Sequence, residues 1–231
     1  MRHSKSGPRL LGILFLAALG MMVFGAVAIR AALPGESTVG KFELSEPVIS
    51  GAEVLATTEG TAELSVSALG IKIKCTGSDA EGKFITQQEA LVSAKFTGCK
   101  VFAIPGGEEL PCHILNGTEK DVIVATAKLL PILHGGELFA LAEPDSPATA
   151  FTTIKYETGF GCPVPAKQEV KGSVTAQAPS VAGVKPLITF SEAIQKLTGD
   201  KLLYGINEAF ASGSAIVELI GIYKGYAFSI I

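Results

Sequence analysis

Alternation of apolar and polar side chains is the pattern that most constrains the fold of this chain. In Ile71–Cys75 the apolar residues occupy the odd positions, and in Glu63–Ala68 they occupy the even ones. A period of two predicts β-strands with one buried face and one solvated face, which is typical of antiparallel sheets. The change of parity at Leu69 and Gly70 predicts a bulge or turn between these two strands.

Other segments extend this prediction along the chain. Val92, Ala94 and Phe96 alternate with polar residues, and Ala215–Tyr223 is almost continuously apolar, which predicts a strand covered on both faces. Turns are predicted at five places: Glu59-Gly60, Pro105-Gly106-Gly107, Asn116-Gly117, Gly135-Gly136 and Thr198-Gly199-Asp200.

One short helix is predicted over Ser191–Leu197, with Ser191 as its N-cap and Glu192 in its first turn. The alternative is that this segment continues a strand that begins at Leu187. The predicted fold class is mainly β: an antiparallel β-sandwich or barrel, preceded by an N-terminal hydrophobic signal or anchor helix.

The first thirty residues predict an extracytoplasmic location. Arg2, Lys5 and Arg9 precede an uncharged apolar run, Leu10–Ile29. This run is either a signal peptide cleaved after Ala28 or a permanent anchor, since about 20 apolar residues can span a bilayer. In both cases the basic residues stay in the cytoplasm. We therefore divide the chain into residues 1–28, a signal peptide or membrane anchor, and residues 29–231, a single mainly-β exported domain that is secreted or anchored at the cell surface.

The net charge of the chain disfavours nucleic acid as a partner. Residues 1–28 contain three basic and no acidic residues, which leaves 16 basic and 22 acidic side chains in the remainder, a net charge of −6. An acidic domain is a poor match for nucleic acid, which normally needs a basic face. Contact with a membrane is expected only through the N-terminal segment, if it is uncleaved. A ligand at the cell surface is compatible with these features, and the partner stays unidentified.

Four cysteines in an exported chain predict disulfides. Cys75, Cys99, Cys112 and Cys162 allow three pairings. The midpoint between Cys99 and Cys112 falls between Pro105 and Gly106, so a hairpin turning there would place these two cysteines opposite each other and leave Cys75 to pair with Cys162. A zinc site is disfavoured because no CxxC spacing is present and His113 is the one histidine beside a cysteine.

Segments that resemble catalytic motifs are incomplete. Gly77–Phe84 nearly matches a phosphate-binding loop, but Phe84 stands where a hydroxyl should bind magnesium, so we interpret the segment as a charged turn between strands. His134-Gly135-Gly136 resembles the oxyanion loop of esterases, but the GxSxG nucleophile motif is missing from the sequence. Both His113 and His134 are expected in turns or at the surface.

Dispersed carboxylates leave a hydrolytic alternative open, because such pairs meet in space and not in sequence. Glu108-Glu109 is interpreted as a solvated turn, and Glu143–Ser146 lacks the spacing of a calcium loop. Asn116-Gly117-Thr118 fits a glycosylation sequon and also a hairpin turn. The chain contains no tryptophan, so sugar stacking would fall to its tyrosines: Tyr156, Tyr204, Tyr223 and Tyr226.

The chain resembles a family of secreted, β-rich bacterial proteins of unknown function, mainly from actinobacteria. The resemblance covers about residues 60–180 and rests on the order of several short segments: Ile73–Gly77, Phe96–Lys100, Cys112, Val122–Thr126, Phe160–Cys162 and Val170–Val174. It implies a secreted, β-rich, disulfide-containing protein and supplies no activity.

The predicted function is that of an exported, non-catalytic protein with a structural or binding role, secreted or at the cell surface. No catalytic residue, metal ligand or cofactor is predicted. The alternative is a secreted hydrolase that acts through dispersed carboxylates.

Overall fold

The computed structural model describes residues 37–44, 50–157, 161–179 and 182–231. These residues all belong to one unit, Leu33–Ile231. Within them, most of the chain forms strands: β1 (Ser37–Val39), β2 (Phe42–Leu44), β3 (Glu53–Thr58), β4 (Ala62–Val66), β5 (Ile71–Cys75), β6 (Gly77–Thr86), β7 (Glu89–Thr97), β8 (Lys100–Ala103), β9 (Ile114–Asn116), β10 (Glu119–Lys120), β11 (Ile123–His134), β12 (Glu137–Glu143), β13 (Thr152–Tyr156), β14 (Lys167–Gly172), β15 (Val174–Gln177), β16 (Leu187–Phe190), β17 (Leu202–Tyr204), β18 (Asn207–Leu219) and β19 (Phe228–Ile230).

Eight of these strands close into an antiparallel barrel. They pair in the order β3, β6, β7, β11, β12, β15, β16 and β18, and β18 pairs back with β3. Closure satisfies the backbone hydrogen bonds of a sheet without leaving a free edge. The prediction of a mainly-β, antiparallel fold is confirmed, and the architecture is a barrel with extra strands. The predicted leader helix lies outside the described residues.

A second antiparallel sheet shares β18 with the barrel. Its strands follow the order β10, β9, β13, β14, β17, β18, β4, β5 and β8. Strand β18 pairs with β17 and β4 over residues 207–212, and with β16 and β3 over residues 213–219. At this change Gly213 has a φ of +145°, and a Cβ there would lie 3.3 Å from the Cα of Ala62. Glycine therefore lets one strand serve two sheets.

Several of the predicted turns connect consecutive strands. Gly135 and Gly136 connect β11 to β12, with His134 opposite Glu137. Asn116 lies opposite Glu119 in the hairpin of β9 and β10. The turn at Glu59-Gly60 is a corner at which the chain leaves the barrel and enters the second sheet, because β3 and β4 both run beside β18.

The parity change between the first two predicted strands is confirmed. Ser67–Leu69 forms one turn of 3-10 helix, and Gly70 follows it with a φ of +62°. The next strand, β5, buries Ile71, Ile73 and Cys75 and leaves its two lysines more exposed. The period-two pattern therefore identifies the inward face of β5 correctly.

The short helix is also confirmed. It is α1 (Glu192–Thr198), and the Oγ of Ser191 accepts a hydrogen bond from the N–H of Ile194 at 3.2 Å. Buried Gln195 accepts a hydrogen bond from the N–H of Ala211 at 3.1 Å, which attaches the helix to β18. Within the described parts of the chain, no helix has the length and apolar composition needed to cross a membrane.

One turn prediction and one strand prediction are wrong. Gly77–Phe84 is not a charged turn, because it forms most of β6 and Phe84 is buried. Acidic residues and glycine are depleted in strands, so the composition of this segment favoured a turn. The small side chains that face inward along β6 did not show the usual apolar alternation. The apolar segment Ala215–Tyr223 is not one strand either, since β18 ends at Leu219 and Ile222 is 86% exposed after a glycine at residue 221 with positive φ.

The expected disulfide pairing is wrong, because Cys75 is bonded to Cys99 and Cys112 to Cys162. Strand β5 pairs with β8 so that Lys74 faces Lys100, and the next pair in this register is Cys75 and Cys99. The hairpin around Pro105 does form, with Phe102 bridged to Glu109. It ends before Cys112, whose N–H donates to the carbonyl of Leu110 in a tight turn around a proline. All four sulfurs are covalently paired, so none is a thiolate that could bind zinc.

Candidate functional site: an apolar cavity in the barrel

The barrel interior contains a cavity of about 310 Å³. This is at the lower end of the volumes of pockets that bind small molecules, which are roughly 300–1,000 Å³. Eight strands make a barrel whose interior is either just filled by side chains or able to hold one small ligand. Which of the two applies depends on the size of the inward side chains.

Small inward side chains create the cavity. Ala56, Ala80, Ala94 and Ala125 lie on four neighbouring strands, β3, β6, β7 and β11, and each is the direct cross-strand partner of the next. We call these four residues the alanine row. Directly opposite residues have Cβ atoms about 4.5–5.5 Å apart, and an alanine projects no further than its Cβ. The four strands therefore leave empty space toward the barrel axis.

The next inward position along the barrel, beside the alanine row, also carries a small residue on β6. Gly82 of β6 lies between Val54 and Val92, and a Cβ at residue 82 would come within 2.9 Å of a methyl group of each valine. The valines therefore occupy the volume that a larger residue on β6 would need. Ala127 continues this level on β11 and also lines the cavity.

Clusters of larger apolar residues lie on two sides of the cavity. On one side, Phe84 packs against Phe42 with ring centroids 4.9 Å apart and against Phe228 at 6.2 Å, so the small sheet of β2 and β19 covers the barrel. On the other side, Ile73 of the second sheet and Phe151, which comes just before β13, are among the apolar lining residues. The cavity therefore lies between two apolar clusters and is partly open to its surroundings.

Few polar side chains line the cavity. Thr58 and Ser78 extend the inward rows of β3 and β6, and their hydroxyl groups are hydrogen-bonded to each other. Glu63 is the single ionisable side chain among the lining residues that the structure describes, and its carboxylate contacts the Nζ of Lys74 at 3.3 Å and that of Lys72 at 3.6 Å. Three further hydroxyl-bearing residues also line the cavity: Thr152, Ser212 and Ser214. The cavity therefore offers a mainly apolar wall, one pair of hydrogen-bonded hydroxyl groups, these three further residues and one carboxylate that is paired with two lysines.

The carboxylates considered from sequence lie elsewhere. Glu109 is exposed and forms an ion pair with Lys100 at 2.8 Å, which raises the pKa of the lysine. A second carboxylate does not occur among the lining residues in the described part of the chain, so these residues do not supply the pair that a glycoside hydrolase would need. In the described ranges, no group of three or more His, Cys, Asp or Glu side chains is placed to hold a metal ion.

The two histidines have different surroundings. His113 is 59% exposed by side chain and lies 4.0 Å from Asp121, in accord with the expected surface position. His134 was expected in a turn or at the surface, but it is 9% exposed and its ring centroid lies 6.4 Å from that of Phe139. The prediction for His134 is wrong because the glycine turn begins after it, so His134 is still part of β11.

The tyrosines divide into a buried and a partly exposed pair. Tyr156 and Tyr204 are buried, and their hydroxyl groups are hydrogen-bonded to each other. Burial raises the pKa of Tyr156 to about 12 and also raises the pKa of Tyr204. Neither ring is open to stack on a sugar. Tyr223 and Tyr226 are more exposed and meet edge to face, with centroids 6.4 Å apart.

A half-buried carboxylate, Asp200, lies beside α1. The hydroxyl of Thr198 donates to its Oδ2 at 2.8 Å and that of Ser173 to its Oδ1 at 3.1 Å. Burial raises the pKa of Asp200, while these two hydrogen bonds lower it and the charge of Glu143 raises it. The net direction is upward, so ionisation of Asp200 is less favourable in the folded protein than in the unfolded chain.

We expect Asp200→Asn to reduce the pH dependence of stability. With a raised folded pKa, the native state binds more protons than the unfolded state, so this group lowers stability as pH rises from about 3.8, the ordinary value, through the folded pKa. Above that window the penalty is constant. Urea unfolding at a series of pH values should show the free energy of unfolding of the variant gaining on that of the wild type as pH rises. A variant that loses ground with rising pH would contradict an upward shift of the Asp200 pKa.

The cavity was missed from sequence, although a signal for it exists. Ala94 was placed on an inward face, yet its partners Ala80 and Ala125 lie on strands whose register the sequence does not specify. The useful signal is the repeated occurrence of alanine and glycine at inward positions where strands usually carry larger residues. Only the pairing shows that these small residues share one level of the barrel.

Comparison with known proteins adds no relative. No family model, no curated protein and no solved structure matches the chain.

Proposed function

We propose that this chain is an exported, non-catalytic binding protein that holds one small apolar molecule inside its barrel. The observation that carries the proposal is the alanine row, because it keeps about 310 Å³ of apolar space open between two well-packed clusters. An empty cavity reduces stability by roughly 24 cal/mol per Å³ in other proteins. A ligand that occupied the space would restore those contacts and bind through dispersion and the hydrophobic effect.

Export is part of the proposal and is supported by the covalent structure. Two disulfides indicate an oxidising environment. The basic and apolar composition of residues 1–28 supports a signal peptide or anchor. A role without catalysis is supported by the chemistry of the lining, which is almost entirely hydrocarbon. The hydrolase alternative receives no support from this cavity and stays a prediction.

Titration with a neutral fluorescent probe tests the proposal. N-phenylnaphthylamine is apolar, carries no charge and becomes brighter in apolar surroundings. We expect a saturable increase in fluorescence with one probe per chain. At roughly 0.3 kcal/mol per non-hydrogen atom, the probe gains about 5 kcal/mol, which corresponds to a Kd of about 0.2 mM or tighter. Native mass spectrometry of the purified protein supplies a second measurement, in which a co-purified small molecule is expected to add its mass to the intact chain.

The proposal fails if the probe does not saturate, or if it binds equally well to the urea-unfolded chain. A stoichiometry of several probes per chain also contradicts it, because non-specific adsorption to exposed apolar residues gives that result.

A further inference from the structure

We propose that the ligand is a neutral amphiphile, with one uncharged hydroxyl end that hydrogen-bonds to Thr58 and Ser78 and an alkyl or terpenoid body that lies against the alanine row. This inference rests on the function proposed above and specifies the chemical class of the ligand.

The position of the hydroxyl pair is the first argument. Thr58 is the last residue of β3 and Ser78 the second residue of β6. Each lies two residues from a member of the alanine row, Ala56 and Ala80, and therefore faces the same way. The polar pair is consequently one level along the barrel from the apolar space. A ligand with one polar end and one apolar body fits this order.

The hydrogen-bonding capacity of the pair is the second argument. A hydroxyl group has one donor and two acceptor positions. The bond between Thr58 and Ser78 uses one donor and one acceptor, so the pair retains one O–H donor and several lone pairs. The hydroxyl group of an alcohol both donates and accepts hydrogen bonds, so it can bond to the free O–H donor and to a free lone pair of these two residues. Of the other hydroxyl-bearing residues that line the cavity, Ser214 donates to the carbonyl of Glu59 at 3.3 Å, and Ser212 and Thr152 lie on β18 and β13.

The charge of the lining is the third argument. Among the lining residues that the structure describes, there is no lysine, arginine or histidine, and the one ionisable group is the carboxylate of Glu63. Lys72 and Lys74 both contact that carboxylate, so their charge is opposed by it. A fatty-acid anion in the cavity would lose its hydration without gaining a cation, which is strongly unfavourable. A neutral hydroxyl end avoids this cost.

Displacement of N-phenylnaphthylamine by decanol and by decanoate tests the inference. The variant pair is Thr58→Val with Ser78→Ala, which removes both hydroxyl groups and keeps the side chains close to their original shape. Since both partners of the hydrogen bond are removed together, stability should change little. We expect the wild type to bind decanol about tenfold more tightly than this double variant does. At neutral pH, decanol should also displace the probe at a concentration at least about tenfold lower than decanoate.

The probe itself is the internal control, because it does not depend on the hydroxyl pair for its affinity. Unchanged probe binding by the double variant shows that the cavity is intact. If the double variant does not fold, the single variant Ser78→Ala is tested in its place. Equal decanol affinity in wild type and variant, or decanoate binding as tight as that of decanol, overturns the inference while the proposed function stands. Failure of the probe and of both competitors to bind the wild type overturns the proposed function as well.

Discussion

Replacement of Cys112 and Cys162 by alanine is expected to lower the free energy of unfolding by about 4 kcal/mol. The disulfide closes a span of 50 residues, and the entropy that a cross-link removes from the unfolded chain grows with the length of the loop. The same argument gives about 3.5 kcal/mol for the span of 24 residues between Cys75 and Cys99. Urea unfolding of each double variant, with the other disulfide intact, measures both values.

A mismatched double variant is the control for the pairing. Cys99→Ala with Cys112→Ala changes the same number of residues but breaks both bridges, since the two alanines replace one sulfur from each. Its loss of stability should exceed that of either matched variant, and it should contain two reactive thiols. A mismatched variant with no reactive thiol would show that Cys99 and Cys112 are partners after all.

A non-reducing tryptic digest examines the same pairing in the wild type. The four cysteines fall in four different expected tryptic peptides, residues 75–83, 96–100, 101–120 and 156–167. We expect the first to be linked to the second and the third to the fourth.

Ala94→Leu is expected to abolish binding of N-phenylnaphthylamine without unfolding the protein. Ala94 is in the middle of the alanine row, with Ala80 on one side and Ala125 on the other. A leucine there projects into the cavity and occupies the space that a ligand needs. Because each newly buried methylene contributes about 0.8 kcal/mol, the free energy of unfolding should stay the same or rise by about 1–2 kcal/mol. Probe titration and urea unfolding measure the two effects.

Ser93→Leu is the matched control, since it lies next to Ala94 on the same strand and is exposed. Alternation along β7 directs it to the outside of the barrel, so probe binding should equal that of the wild type. A loss of several kcal/mol of stability in Ala94→Leu would show that the interior is already filled. Unchanged probe binding in Ala94→Leu would place the ligand outside the barrel.

Local patterns predicted local structure well. The cap at Ser191, the turn at Gly135-Gly136 and the inward face of β5 all depend on residues close together in the chain, and all are confirmed. Helix caps, glycine turns and side-chain alternation are set by backbone geometry over a few residues. Where composition contradicted pattern, as in the acidic and glycine-rich β6, the prediction was wrong.

The disulfides show why longer-range features were not predictable. The turn near Pro105 was found, but the partner of Cys99 was decided by β5, a strand that precedes it by 24 residues. A cysteine at the end of a strand has a neighbour on each side of the sheet. For Cys99, the neighbour in the hairpin would be Cys112 and the neighbour on the other side is Cys75. The tight turn at residues 110–112 takes Cys112 out of the hairpin register, so Cys99 bonds to Cys75.

The chain's own pattern of residues determined that this protein is built from antiparallel strands, where most of its turns lie and that its cysteines form bridges. Tertiary structure alone decided that eight strands close into a ring, which cysteines meet and that Ala56, Ala80, Ala94 and Ala125 line up to leave a cavity. Side-chain alternation specifies which face of a strand is buried, whereas an empty volume depends on what every neighbouring strand places at the same level.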